Sequence, residues 1–255
     1  MSNEKSTTRV ELTKDGPVAT IRFSPEVGVN IFSSRVIANL GQLVERVGQD
    51  AQARYVVFRG DGKVFLAGAD ISEMAHFSED QGRAFATQGH NVFNAIATLP
   101  QVTFAVLNGH ALGGGCELAL ACDFRLMVAG AKIGLPETTL GLIPGWGGTQ
   151  RLPRVVGEPQ ARRLIFSGQP VTADEALQIG LIDELVPTPD GLDEALRRWF
   201  KLIESGSPHA ISRAKRALLQ RDEIEEFGKC FSGSDAKEGI TAFLQKRKPP
   251  WGRSS

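Results

Sequence analysis

An α/β fold is what this 255-residue sequence predicts. Three observations carry it: short β-branched and aromatic runs alternate with longer stretches of helical periodicity, the alternation persists to about residue 190, and beyond that point the chain reads as helix alone. "VATIRF" and "ARYVVFRG" are the first strands, and "IFSSRVIANLGQLVERVGQD" between them places apolar residues at helical spacing, giving a β-β-α-β style unit. "QGRAFATQGHNVFNAIATLP" is a second helix, ended by Pro100. "VTFAVLNG" is a short buried strand that delivers the chain to three glycines, and "FRLMVA" is a further strand. Pro187, Pro189 and Gly191 then punctuate the chain, and "LDEALRRWFKLIESG", "PHAISRAKRALLQR" and "SDAKEGITAFLQKR" follow as helices. The predicted organisation is an α/β core over residues 1–190, carrying the candidate site, and a helical region over 191–255. The latter is too short for a core of its own and is expected to pack on the first or on a partner subunit.

Composition narrows the function classes. Hydrophobic residues make up 42% of the chain, enough for a sizeable core. Lys plus Arg equals Asp plus Glu at 29 each, so no basic excess points to nucleic acid or a membrane surface. Cys116, Cys122 and Cys230 cannot all pair within one chain and show no C-x-x-C spacing, which fits a reducing compartment. His76, His90, His110 and His209 are scattered, so no metal site is expected. The N-terminal "MSNEKSTTR" lacks an apolar signal core, and no stretch approaches the ~20 apolar residues of a membrane span. A soluble, cytoplasmic protein is the expectation.

Three motifs carry chemistry. In "NGHALGGGCELALACD", Gly113, Gly114 and Gly115 follow a strand and open a helix whose first N–H groups lack internal acceptors and face outward at the positive end of the helix dipole. Phosphate is a poor candidate there, because the P-loop and G-x-G-x-x-G patterns are absent and Glu117 would repel it. A transient oxyanion beside a proton-moving carboxylate fits better. The alternative is that the glycines permit close helix–strand packing and Glu117 is an exposed helix residue. Against it, the apolar "LALAC" that follows makes a carboxylate costly unless it is paired or used. In "VFLAGADISEM", Asp70 and Glu73 have capping-box spacing, and the small "AGA" lets a ligand approach backbone N–H groups. In "IGLPETTLGLIPGWGGTQRL", Glu137 precedes a glycine-rich loop, on a different element from Glu117.

Taken in this order, and with the C-terminal "GITAFLQKRK", these motifs resemble the enoyl-CoA hydratase/isomerase (crotonase) superfamily over nearly the whole chain. The resemblance implies a spiral of β-β-α units with a C-terminal helical trimerisation region, usually two trimers paired as a hexamer. It also implies an oxyanion hole formed by the backbone N–H groups of Ala69 and Gly114, gripping an acyl-CoA thioester carbonyl. Glu117 and Glu137 match the paired carboxylates of the hydratases. Glu117 would orient or deprotonate a water for attack at C3 and Glu137 would supply the proton to C2, the reverse assignment being chemically possible. Phe243 and Lys246 match positions that contact the adenine and 3′-phosphate end of CoA, often across a subunit boundary. No cofactor is implied, since coenzyme A is part of the substrate.

Three positions depart from the pattern. Ser72 replaces a frequent lysine and leaves the pyrophosphate contact open, Trp146 is expected to narrow or cap the acyl pocket, and His110 replaces a frequent tyrosine and is read as structural. The expected activity is hydration of a trans-2-enoyl-CoA. An isomerase is the nearest rival, commonly keeping the Glu137 match but lacking the Glu117 match. A non-catalytic acyl-CoA-binding or RNA-binding relative is the other alternative, and the zero net charge argues against RNA.

Overall fold

The computed structural model describes residues 7–252, so the extreme N-terminal stretch read above lies partly outside the described residues. Strands β1 (Thr7–Asp15) and β2 (Val18–Val27) form a hairpin across a two-residue turn in which Gly16 takes φ +52°. Helix α1 (Ser34–Gly48) starts where Ser33 accepts a hydrogen bond from the Val36 N–H. It buries Val36, Ile37, Leu40, Val44 and Val47, the stripe that its periodicity predicts.

The chain then repeats a pattern of long strand, sharp bend, short strand and helix. Strand β3 (Tyr55–Gly60) bends into β4 (Val64–Leu66), followed by α2 (Ile71–Met74) and α3 (Glu79–Ala97). Next come β5 (Val102–Leu107), β6 (His110–Leu112) and α4 (Gly114–Ala121), and then β7 (Phe124–Val128), β8 (Lys132–Gly134), a 3-10 turn (Glu137–Leu140) and α5 (Gly148–Ser167). A last round adds β9 (Val171–Thr172), α6 (Ala173–Gln178) and β10 (Glu184–Val186). The long strands, with the three-residue β10 added at one edge, assemble a six-stranded sheet in the order β1-β2-β3-β5-β7-β10, parallel apart from the hairpin. The short strands assemble a second sheet, β4-β6-β8-β9. Successive rounds thus stack in register as a spiral of β-β-α units.

Side chains tie the bends together. Asn108 accepts from the Gly60 N–H (3.1 Å) and donates to the Gly62 carbonyl (2.8 Å), and His110 Nδ1 accepts from the Lys132 N–H (3.0 Å). His110 is therefore a pin between β6 and β8.

Strand alternation divides the core in two. Val56, Phe58, Ala105, Leu107 and Met127 face the helices of the spiral, whereas Tyr55, Val57, Phe104, Val106 and Leu126 face the opposite side. That second face is covered by α7 (Leu192–Ile203), through Leu192, Ala195 and Leu196. Helix α4 is buried at every residue, which suits its apolar composition and leaves Glu117 as its one charged group.

After α7 the chain forms α8 (Pro208–Gln220), α9 (Glu223–Cys230) and α10 (Ser234–Leu244). Lys215 anchors α8 to the sheet by donating to Asp123 (2.7 Å) and to the Gln101 carbonyl (3.1 Å). The apolar residues of the C-terminal region then divide. Leu192, Leu196, Trp199 and Phe200 pack inside the chain, while Leu218, Ile224, Phe227 and Phe231 stay exposed.

Candidate active site

Two backbone segments meet at the rim of a cavity of about 430 Å³. The first follows β4. Phe32 donates to the Gly68 carbonyl and accepts from the Asp70 N–H (2.8 Å each), as in a parallel ladder, so the Ala69 N–H points away from that pairing. The second is the start of α4. Gly113 takes φ +53° and ψ −123°, which favours glycine, and turns the chain so that Gly114 opens the helix with an N–H that has no partner one turn back. A Cβ built on Gly68 would sit 3.7 Å from the Gly114 nitrogen, so the two backbones approach closely. Ala69 and Gly114 both line the cavity, and neither N–H donates to a protein acceptor among the described residues.

Glu117, one turn into α4, is only 2% exposed. Its Oε1 accepts from the Trp146 and Gly148 N–H groups, each at 2.8 Å. Burial pushes its pKa up to about 7 against those two hydrogen bonds, and the neighbouring Glu137 adds to the rise. Glu137 reaches the same cavity from the 3-10 turn, which Gly141 closes in the left-handed conformation. A Cβ on Gly113 would lie 3.1 Å from its Oε1, and its Oε2 is buried without a partner. Burial raises its pKa as well. The fold thus brings together Ala69 from the turn after β4, Gly114 and Glu117 from α4, and Glu137 from the 3-10 turn.

The rest of the lining is mostly apolar, with Met74, Phe77, Phe85 and Trp146 inside and Ile71, Leu140 and Ile143 near the opening, while Ser78 and Glu79 add polar groups at the start of α3. Trp146 is buried against Phe32, Phe85 and Phe93, and its indole N–H donates to the Phe85 carbonyl (3.3 Å). It is a fixed wall that limits the pocket on the α3 side. Glycines make room for it: a Cβ on Gly114 would lie 2.5 Å from the indole, and one on Gly89 of α3 would collide with it outright. Gly115 has no space for a Cβ because of the Leu66 carbonyl. The glycine run therefore also serves helix–strand packing, as the alternative reading held, but Glu117 is not exposed.

Other expectations changed. Asp70 caps α2 by accepting from Ser72, but Glu73 does not complete a capping box. It turns away and accepts from the Ser34 N–H and hydroxyl (2.9 Å each), fixing α2 to the start of α1. Ser72 is held by Asp70 through both its N–H and its hydroxyl. Phe243 and Lys246 lie at the exposed end of α10 and do not line the cavity of their own chain. The amides of Trp146 and Gly148 were not foreseen as partners of Glu117, although the loop "PGWGG" offers the flexible backbone such amides need.

Residues 13–254 match the family described as enoyl-CoA hydratase/isomerase. Short-chain-enoyl-CoA hydratase of Clostridium acetobutylicum is 40% identical over 94% of this chain and 95% of its own length. Crotonyl-CoA hydratase of Syntrophomonas wolfei is 38% identical over 93% and 95%. The crystal structure of enoyl-CoA hydratase from Bacillus anthracis superposes with a TM-score of 0.85 at 35% identity, covering 96% of this chain and 99% of that one.

Proposed function

The chain belongs to the enoyl-CoA hydratase/isomerase family, and from that premise we propose that it adds water across the double bond of a trans-2-enoyl-CoA to give a 3-hydroxyacyl-CoA. The observation that carries the reading is the convergence of the buried Glu117, the half-buried Glu137 with its buried, unpartnered Oε2, and two unpartnered backbone N–H groups on one mostly apolar cavity.

The thioester carbonyl sits between the N–H groups of Ala69 and Gly114. As the enolate forms, its oxygen gains charge where two fixed donors and the positive end of α4 already point, so little reorganisation is needed. Glu117, held on one oxygen by two amides, orients the water and takes its proton for attack at C3. Glu137 delivers a proton to C2 through its unpartnered oxygen. Burial raises both groups, and two carboxyls sharing one poorly solvated pocket favour the state with a single proton between them. An isomerase needs one base only, and a second anchored carboxylate has no task in moving a double bond.

Coenzyme A enters as part of the substrate. Phe243 and Lys246 would reach its nucleotide end from a neighbouring subunit, since both are exposed and neither lines the cavity of its own chain. The exposed Leu218, Ile224, Phe227 and Phe231 support assembly as a trimer, itself paired as a hexamer, which light scattering tests directly. Among the described residues no helix is long and apolar enough to cross a membrane. With zero net charge this suits work in the cytoplasm without a nucleic-acid partner.

A panel of trans-2-enoyl-CoA thioesters of increasing chain length tests the reading. Loss of the conjugated absorbance with a mass gain of one water is expected. Faster turnover of a 3-enoyl-CoA without mass gain would make the protein an isomerase.

A further inference from the structure

We propose that Arg151 is a positioning residue for Glu117, gripping from behind the loop whose amides hold that carboxylate and biasing it toward its charged form. The proposal deepens the hydration reading and rests on it for its kinetic consequences. Arg151 lies in the first turn of α5 and is half-buried. One guanidinium nitrogen donates to the Trp146 carbonyl at 2.7 Å, and another donates to Asn94 Oδ1 on α3. Between them the side chain lies flat against Gly147, where φ is +111° and a Cβ would collide with the guanidinium. Trp146, Gly147 and Gly148 are thus clamped on one side by Arg151, while the N–H groups of Trp146 and Gly148 grip Glu117 on the other. Glycine at 147 is what allows so close a seat.

Charge points the same way. The titratable and charged groups around Glu117 are Glu137 from the 3-10 turn, Glu79 of α3 on the cavity lining, Cys116 on α4 itself, and Arg151 from α5. Arg125 of β7 is committed to Asp183 and to the Leu181 and Cys122 carbonyls, and His110 of β6 to the Lys132 N–H. Arg151 is the cation of this set whose field acts on Glu117. It opposes the rise that burial imposes there, and burial in turn lowers Arg151 itself from its ordinary value.

The test compares the full-length wild type with Arg151→Met, Arg151→Lys and Asn94→Ala. The Glu117 titration is read by carbon NMR on protein carrying labelled glutamate carboxyls, its signal assigned by its loss in Glu117→Gln. The pH profile of kcat and KM is recorded alongside. Arg151→Met should raise the Glu117 midpoint by about one unit and, since that midpoint starts at about 7, lower kcat about fivefold at neutral pH. The loss should be recovered on the alkaline side, with KM little changed. Arg151→Lys should stay near the wild-type midpoint, and Asn94→Ala should shift it in the same direction by less. An unchanged midpoint in Arg151→Met, with or without a pH-independent loss of rate, overturns the proposal. If Arg151→Met does not fold, an unshifted midpoint in Asn94→Ala does the same. The NMR midpoint needs no turnover, so it stands apart from any failure of the hydration reading.

Discussion

The two carboxylates of the cavity differ in burial and in how they are held, Glu117 being buried and Glu137 half-buried. Glu117 stands in a helix buried at every residue, with one oxygen fixed by two amides at 2.8 Å. Glu137 stands on a single 3-10 turn, flanked by the exposed Leu140, Leu142 and Ile143, and keeps one oxygen without a partner. Burial raises both pKa values, so the difference lies in preorganisation and not in electrostatics alone. A group that aims a water at a particular carbon has to be rigid. A group that passes a proton to substrate needs a free oxygen and tolerates some play.

The largest expected effect tests whether both regions act. Glu117→Gln and Glu137→Gln should each fold and bind acyl-CoA but lose about 10²–10⁴-fold in hydration rate. Shortening sharpens the contrast: Glu117→Asp cannot reach both amides from the helix and should fall nearly as far as the Gln variant, whereas Glu137→Asp should keep measurably more activity. Equal losses in steady-state kinetics would erase the proposed division between a rigid and an adaptable carboxyl.

Next in size is the cost of the rigid site. Folding raises the Glu117 pKa from its ordinary 4.5 to about 7, so the folded state holds an extra proton between those values and stability falls as pH climbs through them. Glu117→Gln keeps an acceptor for the two amides and removes that penalty. On the alkaline side of the window it should be more stable than the wild type by on the order of 3 kcal/mol, and the gap should close in acid. Urea unfolding at several pH values checks this, and parallel stability curves would contradict it.

Smaller effects probe the supports. Gly114→Ala drives a methyl to within 2.5 Å of the Trp146 ring and should destabilise by about 1–3 kcal/mol, read as a lowered Tm. Its side chain points into the core. Any loss of activity would therefore come through the shifted wall and not through a blocked ligand. Glu73→Gln weakens the tie to Ser34 that fixes α2 beside the cavity and should cost about 1 kcal/mol.

Strands β2, β3, β5 and β7 and helices α1, α3, α7, α8 and α10 were legible in the sequence because each carries enough residues to show its period. Neither β1, a mostly polar edge strand, nor α5, twenty residues interrupted by Pro153, Pro159 and the non-helical Gly157, was legible. The division into two sheets was not, since β4, β6 and β8 are three residues each and too short to show alternation. Helix α9, eight residues interrupted by Gly228, escaped for a similar reason. At the site, Glu117 stood out as a lone charge among apolar neighbours. Its meeting with Glu137 could not be read from spacing, because the stacking of β6 on β8 creates it. The amides of Trp146 and Gly148 carry no side-chain signature at all.

Trp146 also constrains the history open to this chain. Its indole fills the room left by two glycines on different helices, Gly89 and Gly114, so the three positions form an interlock. An alanine arising first at either glycine meets the ring and is selected against. A smaller residue arising first at 146 opens a void costing about 3–5 kcal/mol. Each change becomes acceptable only after another has occurred, so a lineage carrying this trio is held near it, and descendants that have reshaped this wall should show coordinated replacements at 89 and 146 and not isolated ones.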